Sequence, residues 1–259
     1  MTKSRRPAAR SRSLTRVSDH LSFSFSAADA DLFCYGSAAG SALVLGAQRD
    51  EQHATATISA ADIEAGRFDL AIDGVCEGRL EALGPAWHNP VGERREWLCR
   101  LRAAIVGGGE VAGFGHVALG AEPGGDALAR SVWMCFDGEL AFVVAAERRR
   151  PRDGHGDESV AAYLGRGVPL AEVAIEEPRL SSTYRADGQL LRAGLELWEE
   201  DAEGDEGGAH DRLRALRVGG ETIVAGELRG AGGISVAFLA WHHDGRAGTG
   251  AYTIGRSER

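Results

Sequence analysis

The sequence predicts an all-β protein built from two similar antiparallel β-barrel or sandwich units in tandem, with few short helices. Three observations lead to this expectation: stretches in which apolar and polar residues alternate, glycine-rich turns between them, and a glycine motif that occurs in both halves of the chain. We expect a disordered basic arm over residues 1–18, an N-terminal unit over 19–122 and a C-terminal unit over 123–259. With 259 residues, of which 44% are hydrophobic, the chain is long enough to bury two cores.

The alternation is clearest between residues 96 and 105. Apolar side chains occupy every second position there: Trp97, Cys99, Leu101, Ala103 and Ile105. Charged side chains stand at intervening positions: Glu96, Arg100 and Arg102. Because successive side chains of a strand point to opposite faces, this pattern predicts a half-buried strand. Similar segments recur along the chain, for example at residues 21–25, 132–136 and 234–241.

Asp-Gly pairs separate several of these segments: residues 73–74, 137–138, 187–188 and 244–245. Asp-Gly readily adopts the positive φ angles of a tight hairpin, so the pairs predict antiparallel neighbours. Helix signals are few. One short helix is predicted between Asp157, a suitable N-cap, and Gly165, which would end it, with Val160, Tyr163 and Leu164 buried.

The glycine motif lies in residues 112–120 and again in residues 247–255. Both copies contain Gly-x-Gly and follow a tryptophan-bearing segment and a glycine turn, which favours a duplicated barrel-sized unit. The first copy also fits the Gly-x-Gly-x-x-Ala form of a dinucleotide fingerprint. That fingerprint needs a following helix, whereas this copy lies within a predicted strand. We therefore interpret Gly113 and Gly115 as marking a bulge or a sharp bend where a sheet closes.

Charge argues against a nucleic-acid partner. The chain has a net charge of −9 although its first residues are basic, so the remainder would repel a phosphate backbone. The arm is rich in serine and has no apolar core, which favours disorder over a signal peptide. No stretch is long and apolar enough for a membrane-spanning helix. These features predict a cytoplasmic protein of unknown oligomeric state.

No pattern indicates a metal or another cofactor, and we expect none. The four cysteines lack Cys-x-x-Cys spacing and fall in apolar segments, which predicts buried free thiols. The acidic segment 199–211 lacks the glycine and the final glutamate of a calcium-binding loop, so a solvated hairpin loop is the expectation. His242 and His243 are neighbours in a predicted strand and would point to opposite faces.

Large aromatic and imidazole side chains lie in the apolar strands, as they do in barrels that hold apolar ligands. The predicted ligand-binding residues are Trp87, Trp97, Phe114, Trp133, Phe136, Tyr184 and Trp241. His116 and His88 are the predicted catalytic residues. His116 alternates with Phe114 and Ala118 and would join an apolar face as a neutral base or hydrogen-bond donor. The alternative is a core histidine bonded to a backbone carbonyl.

The chain resembles tandem lipocalin-like proteins in four features: the duplicated Gly-x-Gly strands, the scattered tryptophans, the hairpin at Asp244-Gly245 and the closing segment 248–252. That group includes carotenoid 1,2-hydratase (hydroxyneurosporene synthase) and related bacterial proteins. The resemblance implies two calycin-type barrels side by side and acid-assisted hydration or cyclisation of terpenoid-like substrates. Relatives often carry Asp-His and a tryptophan after a glycine stretch, where this chain offers only His116. The nearest carboxylic acids are Glu96 and Glu139.

The leading hypothesis is a protein that binds a hydrophobic small molecule, isoprenoid or polyketide-like, in a barrel lumen. It would convert that molecule by cofactor-independent acid/base hydration, isomerisation or cyclisation. One alternative is a non-catalytic β-sandwich module that meets a protein partner through an edge strand or an apolar patch. A second is a hydrolase or isomerase that uses His88 or His116 as base.

Overall fold

The computed structural model describes residues 21–38, 40–91, 93–120, 127–149, 158–200, 213–228 and 233–256. The predicted basic arm and most of the acidic segment 199–211 lie outside these residues. The described chain is formed by β-strands and turns, with one 3-10 turn at Ala28–Ala30. No helix in this part of the chain is long and apolar enough to span a membrane.

The first nine strands form one antiparallel sheet that closes into a barrel. They are β1 (Leu21–Ala27), β2 (Leu32–Ser37), β3 (Ser41–Gly46), β4 (Arg49–Asp62), β5 (Arg67–Ile72), β6 (Cys76–Ala82), β7 (Trp87–Asn89), β8 (Arg94–Ile105) and β9 (Glu110–Leu119). Consecutive strands pair from β1 to β6, and β6 then pairs with β8. The ring closes because β9 pairs with both β8 and β1. The short strand β7 lies beside the first residues of β8.

The remaining nine strands form a second barrel of the same design. They are β10 (Ala127–Phe136), β11 (Leu140–Arg149), β12 (Glu158–Arg166), β13 (Ala171–Val173), β14 (Ile175–Tyr184), β15 (Leu190–Glu200), β16 (Leu213–Leu228), β17 (Ile234–His243) and β18 (Arg246–Arg256). As in the first barrel, the last strand pairs with the first, here β18 with β10. Only Ala174 separates β13 from β14, and they pair with β12 and β15 respectively. The predicted class, two all-β antiparallel barrel units in tandem, is confirmed.

The short helix predicted near residues 157–164 is wrong. Glu158–Arg166 is strand β12, in continuous register with β11 from Leu140 opposite Arg166 onward. Tyr163 and Leu164 point to opposite faces and belong to different cores. Pairing along a whole neighbouring strand therefore outweighs the weak local helix signal, and Gly165 lies within the strand.

All four Asp-Gly pairs lie between antiparallel neighbours, as predicted, although in the pairs at 73–74 and 187–188 only the glycine has positive φ. Both residues of the pairs at 137–138 and 244–245 have positive φ, as tight two-residue hairpins require. The motif glycines, in contrast, mark no bulge, because the register of β9 against β1 and β8 is unbroken. They permit a close approach of strands instead. A Cβ on Gly113 would overlap the carbonyl oxygen of Ser26, and one on Gly250 would overlap that of Trp133.

Side chains fill both lumens. In the first barrel, Phe68 and Trp97 meet edge to face with ring centroids 5.2 Å apart, and a Cβ on Gly66 would lie 2.9 Å from the Trp97 ring. In the second, a Cβ on Gly220 would lie 2.6 Å from Trp241, which is fully buried. The four cysteines are free and buried, as predicted, and burial raises the pKa of each thiol.

A third core joins the two barrels. Phe33 on β2 contacts Phe238 on β17 with ring centroids 5.3 Å apart. Strand β1 turns its serines toward the second barrel, where Ser24 Oγ accepts a 2.7 Å hydrogen bond from Trp133 Nε1. The part of the first barrel's outer face that lies on β2, β3, β7 and the start of β8 is therefore buried, and this part carries the candidate site.

Candidate functional site

The centre of the site is a buried pair of Glu96 and His116. In the pairing of β8 with β9, Glu96 lies opposite Ala118 and His116 opposite Leu98, so the two are diagonal neighbours on one face. Glu96 Oε2 and His116 Nε2 are 2.7 Å apart. The Glu96 side chain is fully buried and that of His116 is 8% exposed. Because Trp97 and Val117 point into the lumen, this pair points outward, toward the second barrel.

Two further donors hold the Glu96 carboxylate. Asn89 Nδ2 donates to Oε1 at 2.7 Å, and Arg94 Nη2 lies 3.3 Å from the same oxygen. The amide of Asn89 is itself oriented, because its Oδ1 accepts a 2.9 Å bond from the Val91 backbone N–H. The short strand β7 thus places Asn89 against the carboxylate.

These partners keep Glu96 ionised. Burial alone would raise the pKa of Glu96, but the hydrogen bond and charge of His116, the charge of Arg94 and the bond from Asn89 outweigh it and lower the pKa to about 2. An ionised carboxylate can only accept hydrogen bonds. His116 Nε2 therefore carries the hydrogen that faces Glu96, and Nδ1 is the nitrogen that can take up a proton.

His116 lines a cavity of about 20 Å³ between the barrels. The lining residues are Ser22, Phe23, Ser24, Tyr35, Arg94, His116, Ala118, Ser131, Trp133 and Thr253. The wall is thus rich in hydroxyl groups and includes one guanidinium. A polar cavity of this volume has room for about one water molecule.

A second, smaller cavity of about 10 Å³ borders Glu96 on another side. Its wall is mostly apolar and includes Trp87, Leu98, Val143 and Tyr163. The Glu96–His116 pair therefore borders two spaces at the junction of the barrels: a hydroxyl-rich one beside His116 and a mostly apolar one beside Glu96.

A larger cavity, of about 340 Å³, opens at one end of the second barrel. Its cationic side chains are matched by acids: Arg246 lies 3.5 Å from Asp137, and Arg214 lies 3.9 Å from Asp244. These four side chains are between 38% and 76% exposed, so their pairs resemble ordinary surface pairs. Arg166, also on this wall, is matched by buried Glu199 at 2.8 Å. We therefore place the candidate site at the buried Glu96–His116 pair.

The structure distributes the predicted ligand-binding residues over three cores. Trp133 lines the cavity beside His116, and Trp87 and Phe114 also lie at the junction of the barrels. Trp97 lies in the first lumen, and Phe136 and Trp241 lie in the second. Tyr184 is 42% exposed.

The predicted base His88 is exposed on β7, whereas its neighbours Trp87 and Asn89 are buried. It therefore faces away from the Glu96–His116 pair. Glu139, the second carboxylic acid considered from the sequence, is also exposed. Within the described part of the chain, no three side chains of the His, Cys, Asp and Glu types are grouped as metal ligands would be.

The sequence alone did not identify Arg94 and Asn89, and it placed Glu96 on a face that was expected to be solvated. One pattern in the sequence does indicate that Glu96, Arg94 and Asn89 are buried. Strands β2 and β3 are apolar on both faces, as strands covered on both sides are. That pattern indicates that something covers the outer face of the first barrel.

The pair is equipped for proton transfer. A carboxylate that holds one nitrogen of an imidazole orients the ring and stabilises the imidazolium that forms when the other nitrogen takes a proton. Water and substrate hydroxyl groups would find hydrogen-bonding partners on the cavity wall. The arrangement suits a general acid/base more than a nucleophile, because a carboxylate that orients an imidazole is the usual partner of a proton-transfer group.

Comparison with known proteins gives similarity at the level of structure. No protein-family model and no curated protein matches the chain. Kievitone hydratase from Nectria haematococca superposes with a TM-score of 0.54 and 11% identity, over 92% of this chain and 88% of that one. A Nitrosomonas europaea protein described as a candidate AttH superposes with a TM-score of 0.49 and 11% identity, over 96% and 98%. The chain thus has a tandem lipocalin-like fold, the fold of kievitone hydratase.

Proposed function

We propose that this chain binds a small molecule at the junction of its two barrels and catalyses an acid/base conversion of it, such as hydration, isomerisation or cyclisation. The observation that carries the proposal is the buried Glu96–His116 pair, 2.7 Å apart, beside a hydroxyl-lined cavity. The similarity in fold to a hydratase fits this class of reaction.

In the proposed reaction, His116 moves the proton. Its Nδ1 takes a proton from a water molecule or a substrate carbon and later returns it to a neighbouring atom. Glu96 keeps the ring in place through Nε2 and stabilises the imidazolium. The cavity of about 20 Å³ has room for the water that a hydration consumes. Hydration, isomerisation and cyclisation involve no net redox change, so no redox cofactor is needed.

The site was expected in a lumen, but we now propose the junction of the barrels. Closely packed aromatic rings occupy both lumens, whereas a polar cavity lies between the barrels. A substrate larger than water must widen this cavity. We propose that the barrels part slightly, which would break the Trp133–Ser24 bond between them. The apolar part of the substrate would then contact the wall around Leu98 and Trp87.

We also retain a reducing compartment, the cytoplasm, as the proposed location. Four free thiols, all buried in apolar surroundings, support it.

Turnover of two probes tests the proposed function. The probes are kievitone, which the name of the structurally similar hydratase suggests, and 4-phenylbut-3-en-2-one, an α,β-unsaturated ketone that can add water. Product formation is followed by mass spectrometry, with ¹⁸O-labelled water to identify the added oxygen. We expect the wild type to hydrate at least one probe and His116→Gln to reduce that rate by about 100-fold or more.

The matched control is His242→Gln, because His242 is exposed on β17. It should leave the rate unchanged. The proposal is wrong if His116→Gln retains the wild-type rate while remaining folded. It is also contradicted if neither probe is hydrated and neither changes the tryptophan fluorescence, since Trp133 lines the cavity.

A further inference from the structure

Arg94 is the second charged side chain on the wall of the cavity that His116 lines. Only 12% of its side chain is exposed. One Nη contacts Glu96, whereas Nε is buried and has no hydrogen-bond partner among the described residues. The guanidinium therefore has at least one donor, Nε, that no described residue uses. Gly120 supports this placement, since a Cβ there would lie 2.7 Å from Arg94 Cγ.

Charge balance limits the chemistry of this site. When His116 acts as the base its ring is neutral, and the charges of Arg94 and Glu96 then cancel. When His116 takes a proton from water, these three side chains together gain a positive charge in a buried place. That gain is offset if a negative charge develops on the substrate at the same time, and the donors of Arg94 are placed to bind it.

Protonation of an isolated alkene fits the site poorly. The Glu96 carboxylate accepts bonds or charge from three donors, so it is not available as a proton donor. The remaining acid is an imidazolium, which is weak for an unactivated double bond. The carbocation that would form would also lie near the positive charge of Arg94.

We infer that the substrate class of this site is a double bond conjugated to a carbonyl or a comparable oxygen, and that Arg94 binds this oxygen as it becomes negative. This inference rests on the proposed function and names its substrate class.

The step balances without a further reactant. The water oxygen bonds to the β-carbon of the double bond, and the water proton goes to His116 Nδ1. The π electrons move toward the carbonyl oxygen and give an enolate, which Arg94 binds. His116 then returns the proton to the α-carbon, and the carbonyl re-forms. One water is added, and nothing is oxidised or reduced.

Binding of 4-nitrophenol tests the inference, because its phenolate resembles an enolate oxygen and absorbs visible light. The neutral comparison probe is 4-nitroanisole. At a fixed pH at which free 4-nitrophenol is partly ionised, we expect the wild type to increase the phenolate absorbance. We also expect 4-nitrophenol to bind about tenfold more tightly than 4-nitroanisole, the size of one charge-assisted hydrogen bond.

Arg94→Met should abolish this preference, and Arg94→Lys should retain part of it. Arg95→Met is the matched control, because Arg95 lies over the Trp97 ring and pairs with exposed Glu64. Urea unfolding of each variant checks that it folds. Arg94→Lys keeps the test valid if Arg94→Met does not fold.

The outcomes separate the two proposals. The inference is overturned if the wild type and Arg94→Lys each bind both probes equally while hydration still depends on His116. The proposed function stands in that case. Loss of both probe binding and hydration overturns both. A preference for the phenolate that depends on Arg94 supports the inference.

Discussion

Replacing Glu96 by glutamine removes one buried charge and almost no volume. In the folded protein the pKa of Glu96 is lowered from 4.5 to about 2 by partners that the unfolded chain lacks. Since one unit of pKa difference corresponds to about 1.4 kcal/mol, the ionised carboxylate stabilises the fold by about 3 kcal/mol at neutral pH. Glutamine also turns an N–H toward at least one donor and leaves Arg94 without its counter-charge. We therefore expect Glu96→Gln to lower the free energy of unfolding by about 3 kcal/mol.

The direction of the pH dependence follows from the lowered pKa. Above about pH 4.5 the carboxylate is ionised in both states, and its full contribution is present. As the pH falls toward about 2, the unfolded chain takes up a proton first and the contribution is lost. Urea unfolding near neutral pH and near pH 3 should show the wild type losing its advantage over Glu96→Gln on acidification.

Glu64→Gln is the control for this experiment. Glu64 is 80% exposed and pairs with Arg95 at 3.2 Å, so its replacement should change the stability by less than about 1 kcal/mol. The account of the buried carboxylate fails if Glu96→Gln is as stable as the wild type, or if both proteins lose stability equally between the two pH values.

Three further predictions concern the packing and the junction. Gly250→Ala should destabilise the protein by about 3 kcal/mol or prevent folding, because its Cβ would overlap the Trp133 carbonyl. The control is Gly255→Ala, which has open space around it and should lower the free energy of urea unfolding by less than about 1 kcal/mol. Ser24→Ala leaves the buried Trp133 Nε1 without its acceptor and should cost about 1 to 3 kcal/mol in the same assay; an unchanged stability would show that this bond contributes nothing. Burial raises the pKa of Tyr252 to about 12 and also raises that of Tyr163, so ultraviolet titration should show tyrosines that ionise late. Tyr252→Phe should reduce the amplitude of this late step, and an unchanged amplitude contradicts the assignment.

The fold could be predicted because its signals are local. Alternation identifies strands, and Asp-Gly pairs such as Asp137-Gly138 identify hairpins, within a few residues of sequence. One failed prediction is also local: residues 158–166 carry a weak helix signal, and pairing with β11 overrides it. The division at residues 122 and 123 stays a prediction, because residues 121–126 lie outside the described part of the chain.

The site could be predicted only in part, because it depends on how the two barrels dock. The alternation correctly predicts that the side chains of Glu96 and Trp97 point to opposite faces of β8. It also correctly places His116 on the same face of β9 as Phe114 and Ala118. It does not reveal that a second barrel covers that outer face. The burial of Glu96 follows from contacts between residues far apart in sequence, which no short pattern contains.

The central claim is that Glu96 holds His116 in one tautomer at the place where a ligand binds. Long-range ¹⁵N–¹H spectra of histidine-labelled protein test it most directly, with the His116 signals assigned from His116→Gln. The account predicts a proton on Nε2 and none on Nδ1, and a shift of these signals when 4-nitrophenol is added, while the signals of exposed His88 stay in place. A proton on Nδ1 of neutral His116, or ligand-induced shifts that spare His116 and affect other histidines, would contradict the account.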